Sequence, residues 1–257
     1  MSGDASLNAA SVIGLALIVG VHLAIPRFRF LDDSGSTWLD VLAGVALGYV
    51  FVDILPHLAG FQAKLLPLAD AGPFGFLEHH SYLMAMAGVL FYLAISLSTE
   101  QARSNGRGTE TSFSQLPIAT QAGAFSLAAY AFLVGYLLSE RLTHGAGSTV
   151  GFAIAMAAHF AGLDHFYRNL YPRFYDAAMR YVLATASCTG WALGVVVELS
   201  DLVYALWFSF LAGGLMMVTA IFELPRIRTW RPYAGFCAGA VGFTVLVLVV
   251  DALSRRI

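Results

Sequence analysis

The sequence predicts an all-α polytopic membrane protein, and three observations carry that prediction. The 257 residues are 58% hydrophobic and only 12% charged, with a mean hydropathy of +0.73. The apolar residues come in long runs, and the basic residues between the runs fall mainly on alternate sides. This composition excludes an ordinary water-soluble core.

At about 17 to 25 residues per crossing, hydropathy divides the chain into eight spans within a single membrane domain, 1–257: 9–25, 39–58, 80–98, 118–139, 149–166, 180–199, 202–222 and 234–252. The first run lacks a basic leader and a small-residue cleavage site; Pro26, Arg27 and Arg29 follow it, so it reads as a retained span. Cationic residues prefer cytoplasmic loops. Arg27, Arg29, Arg103, Arg107, Arg168, Arg173, Arg180, Arg226, Arg228 and Arg231 fall on one side, against Lys64, Arg141, Arg255 and Arg256 on the other. Eight spans, with both termini outside the cytoplasm in a plasma or inner membrane, fit that separation. The corner at Ser200 and Asp201 is all that parts the sixth and seventh spans.

The second span, VLAGVALGYVFVDILPHL, is the informative one. A carboxylate inside a bilayer is costly unless it meets water, a partner or an ion. Asp53 and His57 stand at i and i+4 on one helical face. Pro56 between them has no N–H, which frees the Val52 carbonyl. The trio is either an ion site or a proline-kinked helix whose polar residues approach the membrane surface.

After this span a turn-rich outer loop leads to Glu78, His79 and His80. Residues 99–117 are polar, rich in Ser, Thr and Gly, and read as a flexible cytoplasmic linker. The stretch YRNLYPRFYDAAMR, 167–180, reads as an interfacial segment of anchoring Tyr and snorkelling Arg, not as a nucleic-acid surface.

Acidic and imidazole groups collect at the outer ends of spans. Glu140 and His144 are at i and i+4, and Glu198 and Asp201 at i and i+3. With Glu78, His79 and His80 they outline an outer vestibule, although helix ends are polar in any membrane protein. Oxygen and imidazole donors without thiolate suit Zn²⁺, Mn²⁺, Fe²⁺ or Co²⁺. Cys188 and Cys237 lie in separate runs with no CxxC spacing and read as packing residues.

His159 lies mid-span in the fifth run, as Tyr130 does in the fourth. A single membrane-embedded imidazole is often hydrogen-bonded to a neighbouring helix. Asp164 and His165 point about 140° and 240° away from His159 on a regular helix. Unwinding at Gly162 would let all three face one path. Toward the inner side lie His22 and Glu223, an exit pair or, for Glu223, a boundary carboxylate paired with Arg226 or Arg228. Gly44, Gly48, Gly123, Gly135, Gly213, Gly214, Gly235 and Gly239 predict close helix packing.

The pattern resembles the ZIP (Zrt/Irt-like) divalent metal transporters. The likeness covers span number, outside termini and the long segment after span three. Locally it rests on GYVFVDILPHL (48–58) and LAGGLMMVTAIFELP (211–225). It implies a ZIP-like bundle that moves a divalent cation such as zinc as substrate, with one helix bundle sliding against another. Family members carry HNxxDG-like and HExxEG-like motifs in spans four and five. Here the matching stretches are YAFLVG (130–135) and HFAGLD (159–164). Gly135 and His159 match, whereas Tyr130, Ala131, Val134, Phe160 and Leu163 stand at ligand positions. The transport site is degenerate.

The expected metal residues are Asp53, His57, His159, Asp164 and His165. The expected partners are the lipid bilayer, a small inorganic ion and, as one option, a second copy in a homodimer. No organic cofactor, no nucleic acid and no enzymatic activity are expected. The alternatives are a non-transporting scaffold or sensor and, less favoured, an intramembrane metal-dependent hydrolase. HxxxH, HExxH and GxSxG are all absent. Lys64, the single lysine, lies in a loop, which leaves no mid-membrane Schiff base.

Overall fold

The computed structural model describes residues 2–28, 31, 37–69, 80–104, 112–140, 146–219 and 229–254. Those residues form eight rods. They are α1 (Ser2–Ala24), α2 (Thr37–Tyr49, the π-helical stretch Val50–Ile54, then Leu55–Ala69), α3 (His80–Ser104) and α4 (Ile118–Glu140). Then follow α5 (Ala146–Leu170), α6 (Pro172–Phe174, the π-helical stretch Tyr175–Met179, then Arg180–Val196), α7 (Asp201–Val218) and α8 (Trp230–Ser254). No strand occurs among the described residues.

Four stretches are long and apolar enough to cross a membrane: Ala9–Arg27, Thr37–Ala63, Thr120–Ser139 and Trp230–Val250. Ser81–Leu97 and Asp201–Met217 are shorter apolar helices. These mark the chain as an integral membrane protein. Each rod overlaps one expected span, but α2 runs on to Ala69, so that Lys64 lies in a helix and not in a loop, and α6 begins at Pro172, ahead of the expected 180. Helices α5 and α6 fall outside both groups of apolar helices. The reason for α5 is its position. From Phe152 to Ala161 only Ile154 is more than slightly exposed, so its flanks touch protein and need not match lipid. The lower hydropathy of α6 comes from Thr185, Ser187, Thr189, Gly190 and Gly194; of these, Gly190 and Gly194 press α6 onto α4.

Lipid chains are as apolar as leucine, so membrane helices associate through close packing rather than through the hydrophobic effect. Glycine places the contacts. A Cβ on Gly135 would collide with the Ser187 carbonyl, and one on Gly190 with the Phe132 carbonyl, joining α4 to α6. Gly44 lies against the Phe236 carbonyl and Gly239 against that of Val41, joining α2 to α8. Gly88 and Gly213 likewise meet the carbonyls of Phe210 and Ala85, joining α3 to α7. In α1, a Cβ on Gly14 would stand 2.9 Å from the Ala153 Cβ in α5.

The tightest helix pairs are α4 with α6, α2 with α8, α3 with α7 and α1 with α5. Taking α1, α4, α5 and α6 as one group and α2, α3, α7 and α8 as the other, the seam between them is itself closely packed, α2 lying on α5 and α3 on α4. Aromatic side chains also meet along this seam. Tyr49 and Phe152 have ring centroids 6.0 Å apart, as do Tyr92 and Tyr130.

Three local expectations change. Helix α3 continues to Ser104, into the stretch expected as linker, because Glu100, Gln101, Ala102 and Arg103 are good helix formers. Ser112 then caps a 3-10 turn at Phe113–Gln115, its hydroxyl and the Gln115 side chain forming a capping box. Tyr171 and Tyr175 are each only 1% exposed, so they are packed inside the bundle rather than anchored in an interface. The Tyr171 hydroxyl sits 3.0 Å from Thr120 Oγ1, and Arg168 pairs with Asp176 at 3.1 Å.

Candidate functional site

The turn before Pro56 widens into a π-helical stretch, and the Leu55 N–H reaches back to the Val50 carbonyl. Proline cannot donate, and a widened turn is one way a helix absorbs the missing bond. There His57 Nδ1 donates to the Asp53 carbonyl at 2.7 Å and lies 3.6 Å from Asp53 Oδ2. The expected same-face pair is therefore formed. Because a carbonyl only accepts, Nδ1 carries hydrogen and a ligand approaching this imidazole meets Nε2. The pair is partly open, with side chains 31% and 16% exposed. The His57 ring lies 5.9 Å from that of Phe208.

Two cavities follow along the seam between the helix groups. The upper one is lined by Tyr49 and Ile54 of α2, Phe208 and Leu215 of α7, Val134 of α4 and Met156 of α5, among others. The lower one is lined by Tyr92 of α3, Leu127 of α4, His159, Leu163 and Tyr167 of α5, and Gly214 of α7, with apolar neighbours. Tyr130 belongs to both. Its ring centroid is 5.8 Å from that of His159, and its hydroxyl points at Met156 Sδ, a weak acceptor, at 3.9 Å. His159 is 1% exposed, and among the described residues neither of its ring nitrogens has a hydrogen-bond partner.

Asp164 and His165 do not join His159. Helix α5 runs through Gly162 without unwinding, so the side chains keep their helical directions. Asp164 turns toward α1, where His22 Nδ1 donates to its Oδ2 at 2.6 Å with both side chains fully buried. The Tyr175 hydroxyl donates to the His22 carbonyl at 3.3 Å, and Ser187 Oγ lies 3.5 Å from His22 Nε2. Among the described residues Asp164 Oδ1 meets no hydrogen-bond geometry, although the Tyr175 side chain interacts with this carboxyl group. His165 Nε2 accepts from Asn169 Nδ2 at 2.8 Å. His22, expected at an inner exit, is instead a core residue.

Ser187, His22 and Asp164 form a row with the connectivity of a hydrolytic triad. All three are fully buried and none lines either seam cavity.

Of the expected vestibule, Glu198 and Asp201 are exposed at the corner between α6 and α7. Tyr136 holds that corner: its hydroxyl donates to the Val197 carbonyl at 2.7 Å and accepts from the Leu199 N–H at 3.1 Å. Glu78, His79, His144 and Glu223, and the side chains of His80 and Glu140, lie outside the described residues. Among the described residues no group of three or more His, Cys, Asp or Glu side chains could hold a metal ion.

The positions that the resemblance assigns to lost ligands are all buried. Tyr130 and Leu163 wall the lower cavity, and Val134 the upper. Phe160 packs edge-on against the His22 ring at 4.6 Å, and Ala131 is simply core. Sequence reasoning passed over Tyr92 of the lower cavity and Ser187 beside His22, and read Tyr167, which lines the lower cavity, and Tyr175, which bonds the His22 carbonyl, as interfacial anchors. Tyr92 did carry a signal: tyrosine in a membrane helix belongs at the interfaces, and this one is mid-run. No family model matches the chain, and none of the curated proteins matches it.

Proposed function

We propose that the chain is an eight-span membrane transporter or facilitator of ZIP-like architecture, with a small solute moving along the seam between the two helix groups. One observation carries the reading. Both cavities draw their walls from both groups, and the Tyr130 side chain lines each of them. Glycine brings backbones into contact in the pairs α4–α6, α2–α8 and α3–α7, whereas among the described residues no such glycine contact joins α2 to α5 or α3 to α4, where the rings of Tyr49 and Phe152 and of Tyr92 and Tyr130 meet. Sliding of one group against the other would open the cavities in turn. The path begins at Asp53 and His57, passes Phe208 to the upper cavity, and continues past Tyr130 to His159. The alternation of arginines in the loops supports termini outside the cytoplasm of a plasma or inner membrane.

A divalent cation such as zinc is a second reading of the solute, favoured by the Asp53 carboxylate beside His57 at the start of the path. A non-transporting scaffold is favoured by the apolar side chains of Ala131, Val134, Phe160 and Leu163 at ligand positions.

The test is reconstitution of the purified chain in lipid vesicles, with entry of zinc, manganese and small neutral solutes followed by enclosed indicators or by swelling. Entry of at least one solute above protein-free vesicles, slowed by Tyr130→Trp, is expected. If the vesicles admit none of them, the transporter reading fails and the scaffold reading replaces it.

A further inference from the structure

The lower cavity has a composition and size of its own, and these select a solute. We propose that it is a binding site for an uncharged, hydrogen-bonding molecule of one to three heavy atoms, the chemical class of ammonia, water and hydrogen peroxide. This deepens the transport reading and rests on it.

Three observations lead there. The first is His159 itself. A neutral imidazole has one nitrogen that donates and one that accepts, and both His159 nitrogens are buried with no hydrogen-bond partner among the described residues. Buried polar atoms are nearly always satisfied, so this ring is arranged for a guest that can both give and take a hydrogen bond.

The second is the lining. Phenol rings of Tyr92, Tyr130 and Tyr167 and the side chains of Leu127 and Leu163 surround the space, and no Asp, Glu, Lys or Arg lines it. An ion would leave its hydration shell with no countercharge to receive it, which a low-dielectric interior penalises severely. A neutral molecule meets no such penalty.

The third is room. The free space is about 30 Å³, and about 20 Å³ in the upper cavity. Some 10 to 15 Å³ holds one water, whereas a cavity that binds benzene is nearer 150 Å³. Rings and hydrated cations are too large for the cavity in this conformation.

The experiment uses the full chain in vesicles. Ammonia entry is read with an enclosed pH dye, hydrogen peroxide entry with an enclosed peroxide-sensitive dye, glycerol by swelling and zinc with a metal indicator. Ammonia or peroxide entry severalfold above protein-free vesicles is expected, with glycerol and zinc at background. His159→Phe should bring that entry to background. His159→Gln, which keeps a donor and an acceptor and guards against a folding artefact, should retain a measurable part of it. Zinc entry without ammonia or peroxide entry overturns this inference and leaves the transport reading standing. Unchanged ammonia or peroxide entry in both variants also overturns it. No entry of any solute overturns both.

Discussion

His22 Nδ1 lies 2.6 Å from Asp164 Oδ2, although 142 residues separate them and neither side chain touches solvent. The bond ties α1 to α5 at a point where Tyr175 and Ser187 of α6 also converge on His22. Removing one member of a buried pair strands the other, at about 3–5 kcal/mol, whereas replacing both with apolar groups of similar volume is often tolerated. Asp164→Ala should therefore destabilise severely. The double variant His22→Phe with Asp164→Leu should lose much less than the sum of the two single changes. Loss of helical circular dichroism on titration with a denaturing detergent, run as a double-mutant cycle, measures this; additive losses would show that the two side chains act independently.

Close helix approach yields a second expectation. Gly135→Val should push α4 from the Ser187 carbonyl and cost about 1–3 kcal/mol, the usual penalty for overpacking. Gly242 has nothing within 4 Å of where its Cβ would stand. Gly242→Ala should be neutral or stabilise by about 0.5–1 kcal/mol through better helix propensity. Melting of the two variants in the same detergent decides it, and equal effects would argue against the assignment of Gly135 as a contact point.

Tyr130 lines both seam cavities, and on the transport reading its size should set the flux. Tyr130→Ala should merge them, raise the entry of small neutral solutes and admit larger ones such as glycerol. It should also destabilise the protein by roughly 3–5 kcal/mol, as loss of a buried ring does. Vesicle swelling and thermal melting read the two effects separately. A variant that melts early but keeps the size limit of the natural chain would count against that role.

The corner between α6 and α7 depends on one hydroxyl. Tyr136→Phe removes both of its bonds to residues 197 and 199, each worth about 0.5–1.5 kcal/mol. Amide hydrogen exchange should accelerate at Leu199 and its neighbours, with little change in α1 or α8. Exchange unaltered at the corner would mean that Ser200 and Tyr204, joined by a backbone bond at 3.0 Å, suffice to hold it.

The rods were legible because lipid imposes a length on any helix that crosses it, and apolar runs report that length directly. The widened turn at Val50–Ile54 was half legible: Pro56 announces a missing donor, but whether a helix kinks, breaks or adds a residue to its turn depends on its neighbours. The Asp53 and His57 pair was legible because it is local, set by i and i+4 spacing. Helical spacing already turned Asp164 away from His159, and only the unwinding at Gly162 that would have joined them did not occur; that the Asp164 face meets α1 is something nothing local states. Tyr92 went unnoticed, and Tyr167 was read as an interfacial anchor, for a related reason. A cavity is a property of several helices at once, and each contributes residues that look like ordinary core when read alone.

The enclosed position of α5 has a consequence for how the chain is made. A segment carrying His159, Asp164 and His165 gains little by entering bilayer alone, yet Asp164 has its counterpart in α1, which is synthesised before α5. Once the two helices meet, the imidazole of His22 takes the carboxylate out of contact with lipid.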